Sequence, residues 1–529
     1  MLTLAVFLSG AVLMALEMVG SRILAPTFGS SIYIWGSLIV VVMAALTIGY
    51  YVGGRIADRF PDLAALGVIL ALAGVFIGFL PFWTGRVNSL CGRLEPRVGS
   101  LLAATAFFFL PGILLATVSP YAVKLAGRNL DKLGNTAGRL SAISSVGSVV
   151  GTLVTSFYLI PLTGVRNIVH TLGLILLLLA LCILSRKPPK ETPLSGSSPH
   201  WRHNVLRFLI LLGIALLLLS WRWSTQALAA SRDDVLYERD TLYHHLRVTQ
   251  SGSRRYLRFD NSLQSAIDLD APFDMVFRYT SFLHLGVVAH PRPERALFIG
   301  LGGGSAPAKF LHDYPSLRQV DAVEIDPEVV KAAKNYFALP EDPRLRVATQ
   351  DGRLFVEQAG RAIARGEAAP YDLVIIDAYS ASTIPYHLTT FEFLQLVRAC
   401  LAPGGVVVSN IIGALAGPNS GLLRAMARTF AAVFPQVYLF PVDGWRGPED
   451  IYEQNVILIA TLDPVRWTKE EWQTRAAEYY ARHWIVEEVP AFVETLVEGL
   501  LLSEESWLTG VPLLTDDYAP VDTLKHPLL

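Results

Sequence analysis

Seven apolar stretches fill most of the first 221 residues, and they restrict what this chain can fold into more than any other feature. A helix needs about 20 mostly apolar residues to cross hydrocarbon, where every backbone polar group has to be bonded internally. The stretches run over 2–19, 32–52, 63–83, 101–122, 140–160, 167–184 and 205–221. The first six predict a transmembrane helical domain over 1–185, followed by a Pro- and Ser-rich linker over 186–204. The seventh segment, 205–222, is short and edged by Arg207 and Arg222, so it reads as either spanning or interfacial. A cleaved signal peptide is not expected, because Met1 leads into the first stretch without a charged leader.

Composition agrees. The chain is 52% hydrophobic and 17% charged, too apolar for one soluble protein, and its 529 residues allow two or three domains. A net charge of −1 gives no basic field, so nucleic acid is not expected as a partner, whereas a lipid bilayer is. Cys91, Cys182 and Cys400 are too scattered for a disulfide framework or a metal cluster, and no metal is expected. The loops after helices two, four and six carry eleven Lys and Arg, those after one, three and five only five. That bias predicts a cytoplasmic N-terminus. Glu17 is the one acid inside a span, where it is either functional or the partner of Arg22.

The second half changes character. Residues 235–270 alternate around Gly252 and predict a small antiparallel β element. From 271 to 529 the pattern is α/β. A strand ending at Ile299 runs into Gly300-Leu301-Gly302-Gly303-Gly304-Ser305, and the next ends in Glu324-Ile325-Asp326. A third ends in Asp351-Gly352 and a fourth in Asp377. Glycines allow close backbone approach to a ligand, and an acid on the next strand tip can hold a ribose diol. The ordered run of strand tips predicts a Rossmann-like nucleoside-binding core.

Two resemblances follow from these residues. Gly53-Gly54-Arg55-Ile56-Ala57-Asp58-Arg59 resembles the loop after the second helix of major-facilitator transporters, and six helices would equal half of one. That domain reads as a transport or channelling unit, or as an anchor. Residues from about 235 to 460 resemble the spermidine synthase (polyamine aminopropyltransferase) family. Tyr243-His244 stands where the family has Tyr-Gln, and Phe259-Asp260-Asn261-Ser262-Leu263-Gln264 resembles its Leu-Asp-Gly-x-x-Gln turn. The segment 300–305 stands for its glycine loop, Glu324-Ile325-Asp326 and Asp351-Gly352 match its acids, and Asp377-Ala378-Tyr379-Ser380 stands for Asp-Ser-Ser-Asp. The whole resembles bacterial fusions of such a domain to a transporter-like membrane domain.

The resemblance implies a class I methyltransferase-type fold and an adenosyl-sulfonium donor, either decarboxylated S-adenosylmethionine or S-adenosylmethionine itself. It implies an amine or polyamine acceptor and a homo-oligomer, expected to be a dimer. Gly300, Gly302 and Gly304 would lie under the nucleoside, with Glu324 on the ribose and Asp351 on the adenine amino group. Asp377 would be the general base, and His387 a second acid or base. Tyr243, His244, Gln264, Tyr279, Tyr379, Ser380 and Asp517 are the expected substrate-binding residues. Further countercharge would come from Asp516 or from Glu449-Asp450.

Three acids of the family pattern are absent, replaced by Gly303, Ser380 and Ser281. Their loss leaves three activities open: aminopropyl transfer, another S-adenosylmethionine-dependent transfer of a methyl or aminocarboxypropyl group, and non-catalytic nucleoside sensing. An adenosyl donor favours six spans plus an interfacial seventh segment. That arrangement keeps the C-terminal domain on the cytoplasmic face of a bacterial inner membrane.

Overall fold

The computed structural model describes residues 1–28, 32–127, 133–185, 205–219, 235–260, 262–379, 384–445, 447, 451–482 and 505–525. They form two compact units. Residues 1–233 pack together with 239–245, and residues 234–238 pack with 246–529.

The described residues of the N-terminal unit up to 219 are almost all helical. Its helices are α1 (Leu2–Phe28), α2 (Ile32–Arg59), α3 (Leu63–Phe79), α4 (Pro81–Cys91), α5 (Pro96–Ala104), α6 (Leu110–Ala126), α7 (Leu133–Val154), α8 (Ile160–Thr163) and α9 (Val165–Leu184). A shorter apolar helix, α10, covers Val205–Leu219. Single π turns, Thr105–Phe109 and Thr155–Leu159, join α5 to α6 and α7 to α8. Among the described residues, five helices are long and apolar enough to cross a membrane, or six if the bent α3–α4 pair counts as one span.

That pair covers the apolar stretch expected over 63–83 and runs on to Cys91 with a break at Leu80. Pro81 has no N–H to donate and its ring crowds the preceding turn, so the helix bends by 65° there. A ring nitrogen of His170, on α9, lies 2.8 Å from the Gly78 carbonyl beside the break. An apolar bundle can tolerate a broken helix only when a neighbour bonds to its backbone in this way. Packing elsewhere relies on small residues. A Cβ on Gly147 would stand 2.1 Å from the Phe7 carbonyl oxygen, so α7 and α1 touch backbone to backbone.

The C-terminal unit begins with β1 (Val235–Asp240), β2 (His245–Ser251), β3 (Arg254–Phe259) and β4 (Ser262–Asp268), one sheet in sequence order. The Phe259-to-Gln264 motif, read as a turn, is a turn at Asp260 (φ 54°) followed by the start of β4. The short helices α11 (Arg278–Phe282) and α12 (Leu285–Ala289) lead into β5 (Arg295–Ile299). Four helix–strand repeats follow: α13 (Ser305–Asp313) with β6 (Gln319–Glu324), α14 (Pro327–Tyr336) with β7 (Leu345–Thr349), α15 (Gly352–Ala364) with β8 (Tyr371–Ile376), and α16 (Phe391–Ala399) with β9 (Leu401–Gly413). Then come α17 (Gly421–Ala431), β10 (Gln436–Pro441), β11 (Gln454–Thr461), α18 (Lys469–Arg482), α19 (Glu505–Leu508) and α20 (Val521–Lys525).

The large sheet has the order β10-β11-β9-β8-β5-β6-β7, and only β11 runs against its neighbours. Its central strands are buried on both faces, which explains their nearly unbroken apolar runs. The chain starts in the middle at β5, winds out to β7, and returns to β8. Ligands of such sheets bind outside the strands' carboxyl ends where the winding reverses, here between β5 and β8. This is the Rossmann-like, methyltransferase-type order.

Candidate active site

Glu324 and Asp351, two of the acids at the strand tips, accept from backbone N–H groups, whereas the third, Asp377, is held by side chains. β5 ends at Ile299, and the chain turns through three glycines with left-handed φ: Gly300 (100°), Gly302 (54°) and Gly304 (79°). Other residues pay strain for that conformation. Glu324, at the end of β6, accepts from Leu301 N–H (3.2 Å) and Asp326 N–H (3.0 Å), which pins it against the loop. Burial raises its carboxyl above the ordinary range, and the two N–H groups oppose that shift. Asp326 faces away and caps α14 through Glu328 N–H (2.9 Å).

Asp351 caps α15, with Oδ1 accepting from the N–H groups of Arg353 (2.9 Å) and Leu354 (3.0 Å). Its Oδ2 lies 3.0 Å from Nε2 of His387. His387 sits in the 3-10 turn Tyr386–Leu388, and the ring contact it makes is with Asp351.

Asp377 follows β8, and its N–H donates to the Ile299 carbonyl (2.9 Å), joining the tips of β5 and β8. Its carboxylate is held by two side-chain donors, one of them anchored in turn. Tyr279 Oη donates to Oδ2 (3.2 Å) and Asn410 Nδ2 to Oδ1 (2.9 Å). Asn455 Nδ2 in turn donates to Asn410 Oδ1 (2.9 Å). Tyr379 Oη donates to the Asn410 carbonyl (3.0 Å) and accepts from Ile412 N–H (2.8 Å). Asp377 keeps a partly exposed face, yet the protein around it is dense enough that desolvation raises its carboxyl, against the pull of its two donors. The Tyr279 hydroxyl is pushed well above its usual range, first by burial and then by the neighbouring Asp377 charge, and so stays protonated.

The fold thus gathers Gly300, Gly302, Gly304, Glu324, Asp351, Asp377, Tyr279, Tyr379 and His387 at the carboxyl end of one sheet. Gln264 is half-buried on β4, the strand whose Ser265 lies 3.5 Å from where a Cβ on Gly302 would stand. Tyr243 and His244 fall in the segment 239–245 that packs with the N-terminal unit. Asp517 is exposed in the turn where Thr515 and Tyr518 exchange backbone bonds. Asp516 is engaged as a countercharge already, in an ion pair with Arg353 (2.5 Å). Ser380, Glu449 and Asp450 lie outside the described residues. Among the described residues no cluster of His, Cys, Asp and Glu could hold a metal ion.

Sequence reading missed Asn410, Asn455 and Arg353. A signal existed for the first: Ser409-Asn410 is a polar pair, both buried, inside an otherwise apolar central strand. Buried amides at such positions need partners, and Asn410 has them.

Residues 276–441 match the spermine/spermidine synthase domain. The C-terminal domain is thus similar to the spermidine synthase family. A polyamine aminopropyltransferase of Vibrio vulnificus is 29% identical over 296 residues, 55% of this chain and 91% of that protein. The human eEF1A lysine and N-terminal methyltransferase is 32% identical over 179 residues, 32% of this chain but only 23% of that protein. A probable spermidine synthase of Corynebacterium glutamicum aligns in structure at a TM-score of 0.39 and 20% identity, over 45% of this chain and 83% of that one. The expectation of an enzyme, a transferase like the polyamine aminopropyltransferases with its substrate open, holds.

Gly303 leaves little room for the acid that the resemblance implies at this position. A Cβ on it would stand 2.8 Å from Ser265 Oγ and 2.9 Å from Cδ1 of Phe337, a ring 1% exposed. An aspartate cannot be restored without moving that ring. Gly303→Asp should therefore cost about 1–3 kcal/mol by overpacking, read as a lower unfolding midpoint. Adding Phe337→Leu should recover part of the loss. A Gly303→Asp variant with an unchanged midpoint would show that the loop has slack.

Proposed function

We propose that the C-terminal domain transfers an aminopropyl group from an adenosyl-sulfonium donor to an amine. In this reading the N-terminal helices anchor it in a bacterial inner membrane, with the catalytic domain on the cytoplasmic side. The observation that carries the chemistry is Asp377, a carboxylate with a raised proton affinity, fixed by Tyr279 and Asn410 at the winding reversal of the sheet.

In the reaction, the lone pair of the acceptor nitrogen attacks the methylene carbon bonded to the sulfonium. A C–N bond forms as the C–S bond breaks, and its electrons neutralise the sulfur to give methylthioadenosine. The proton lost by the amine passes to Asp377. A carboxylate with its pKa raised towards neutrality is a better base for this step than an ordinary one. Much of the remaining rate comes from holding nitrogen, carbon and sulfur in line. Glu324 would take the ribose hydroxyls and Asp351 the adenine amino group, while Gly300, Gly302 and Gly304 let the backbone lie beneath the nucleoside. Tyr279, Tyr379 and Gln264 would line the acceptor side.

One observation favours a second reading, in which the donor is intact S-adenosylmethionine. The loop position that would carry a carboxylate is Gly303, closed in by Ser265 and Phe337, so no fixed negative charge there repels a donor carboxylate. The methyltransferase relative is compatible with that alternative.

Calorimetry on the full-length, detergent-solubilised protein separates the two. Tighter binding of decarboxylated S-adenosylmethionine than of the intact form supports aminopropyl transfer. The reverse preference supports methyl or aminocarboxypropyl transfer. No binding of either donor or of methylthioadenosine would overturn the nucleoside site.

A further inference from the structure

Asp351 and His387 meet beyond the tip of β7, and one residue, Arg353, bonds to both, to the first by its backbone and to the second by its side chain. Arg353 gives its backbone N–H to Asp351 Oδ1 (2.9 Å), while its Nη1 donates to the His387 carbonyl (3.1 Å). The guanidinium is in turn gripped from a distant part of the chain. Asp516 takes Nη1 on Oδ1 (2.6 Å) and Nη2 on Oδ2 (2.5 Å), a two-point fork that fixes the plane of the group as well as its position. Thr390 Oγ1 donates to Asp516 Oδ1 (2.8 Å) and lies 3.3 Å from Arg353 Nη1, closing a triangle.

The segment bearing Asp516 is itself anchored. Asp516 N–H donates to Glu392 (2.9 Å), Phe391 N–H to the Leu514 carbonyl (2.8 Å), and Leu514 N–H to Thr429 Oγ1 (3.1 Å). Arg424 reaches the carbonyls of Trp507 and Thr509 (both 2.7 Å). Residues 507–516 therefore form a strap over α16 and α17 whose end is clipped to Arg353. The ion pair is partly exposed, with 22% of the Arg353 side chain and 42% of the Asp516 side chain accessible. Pairs that open contribute little to stability. Its geometry is specific enough to suggest another use.

We propose that Arg353 and Asp516 are positioning residues of the nucleoside site: through the His387 carbonyl they hold the His387 ring on Asp351, and so set the Asp351 carboxylate that faces the base. This rests on the nucleoside reading of Asp351 given above. Neither residue needs to touch the ligand. Without the fork, Arg353 swings free, the 386–388 turn loses its tie, and Asp351 keeps only its cap bonds.

The test is calorimetric binding of methylthioadenosine to the full-length protein, comparing wild type, Asp516→Asn and Arg353→Lys, with kcat measured at saturating donor. Each variant should bind about tenfold more weakly, a cost typical of slightly misplaced ligating groups, while kcat and the acceptor KM stay within twofold. The double variant should be no weaker than the worse single one, because both act through one contact. A merely structural tie would instead lower the unfolding midpoint and leave affinity untouched. Wild-type affinity in either variant overturns the proposal, and Arg353→Lys carries the test if Asp516→Asn does not fold. If the wild type itself binds no methylthioadenosine, the nucleoside reading fails first and the proposal falls with it.

Discussion

Asp377→Asn should lower kcat by about 10²- to 10⁴-fold, the usual contribution of a general base, and leave the protein as stable as before or more stable at pH 7. The two halves of that expectation have one cause. Asp377 is desolvated, so its carboxyl holds a proton more tightly in the folded chain than in the unfolded one. A group whose folded value is raised contributes stability at low pH, and that contribution is lost as pH climbs through the folded value. At neutral pH the ionised carboxylate is thus a burden on the fold, which the amide removes while still accepting from Asn410 or Tyr279. The same shift sets the pH profile. Activity at saturating donor should rise with pH along a limb lying above the ordinary aspartate value of 3.8. The profile of kcat isolates Asp377 here, because Glu324, also raised, acts on donor binding and so enters kcat/KM. Loss of turnover together with a lower unfolding midpoint would mean that Asp377 supports the fold rather than the reaction.

Gly300→Ala should be the most damaging of the small substitutions. At φ 100° an alanine is strained by about 1–3 kcal/mol. Its Cβ would also stand 2.1 Å from the Asp377 carbonyl oxygen, with overpacking of about 1–3 kcal/mol more. The clash pushes the tips of β5 and β8 apart, and Asp377 moves with them. Turnover and methylthioadenosine affinity should fall together, along with the unfolding midpoint. An alanine variant that keeps wild-type turnover would show that the two tips need not touch.

Much of this was legible in the sequence. The glycine loop, Glu324, Asp351 and Asp377 announced themselves because strand tips in a parallel sheet are separated by regular lengths of chain, and each ends in a small or acidic residue. The apolar stretches gave the helices for the same local reason. What could not be read depends on residues far apart in the chain. The meeting of Asp377, Asn410 and Asn455 exists only once β8, β9 and β11 lie side by side, and no local pattern encodes that neighbourhood. The pairing of Arg353 with Asp516 spans 163 residues. The bend at Pro81 was local and visible as a proline, but the run around it was apolar enough to read as one span. His387 was placed by its nearness in sequence to Asp377, whereas its turn brings it to Asp351, beyond the tip of β7, with β5 and β6 lying between β7 and β8.

The sheet order has a consequence for how the enzyme comes into being. Among the described residues β11 is the last strand along the chain, yet it lies inside the sheet, between β9 and β10. β9 keeps an open edge until β11 pairs with it antiparallel, and β10, which pairs with β11 alone, has no place in the sheet before that. Such non-local insertion is slow, and open edges invite aggregation meanwhile. Asn455 rides on β11, so the Asn410 amide gains its anchor, and Asp377 its fixed aim, only at that step. In a refolding experiment catalytic competence should therefore appear with the slowest phase, after most of the secondary structure has formed.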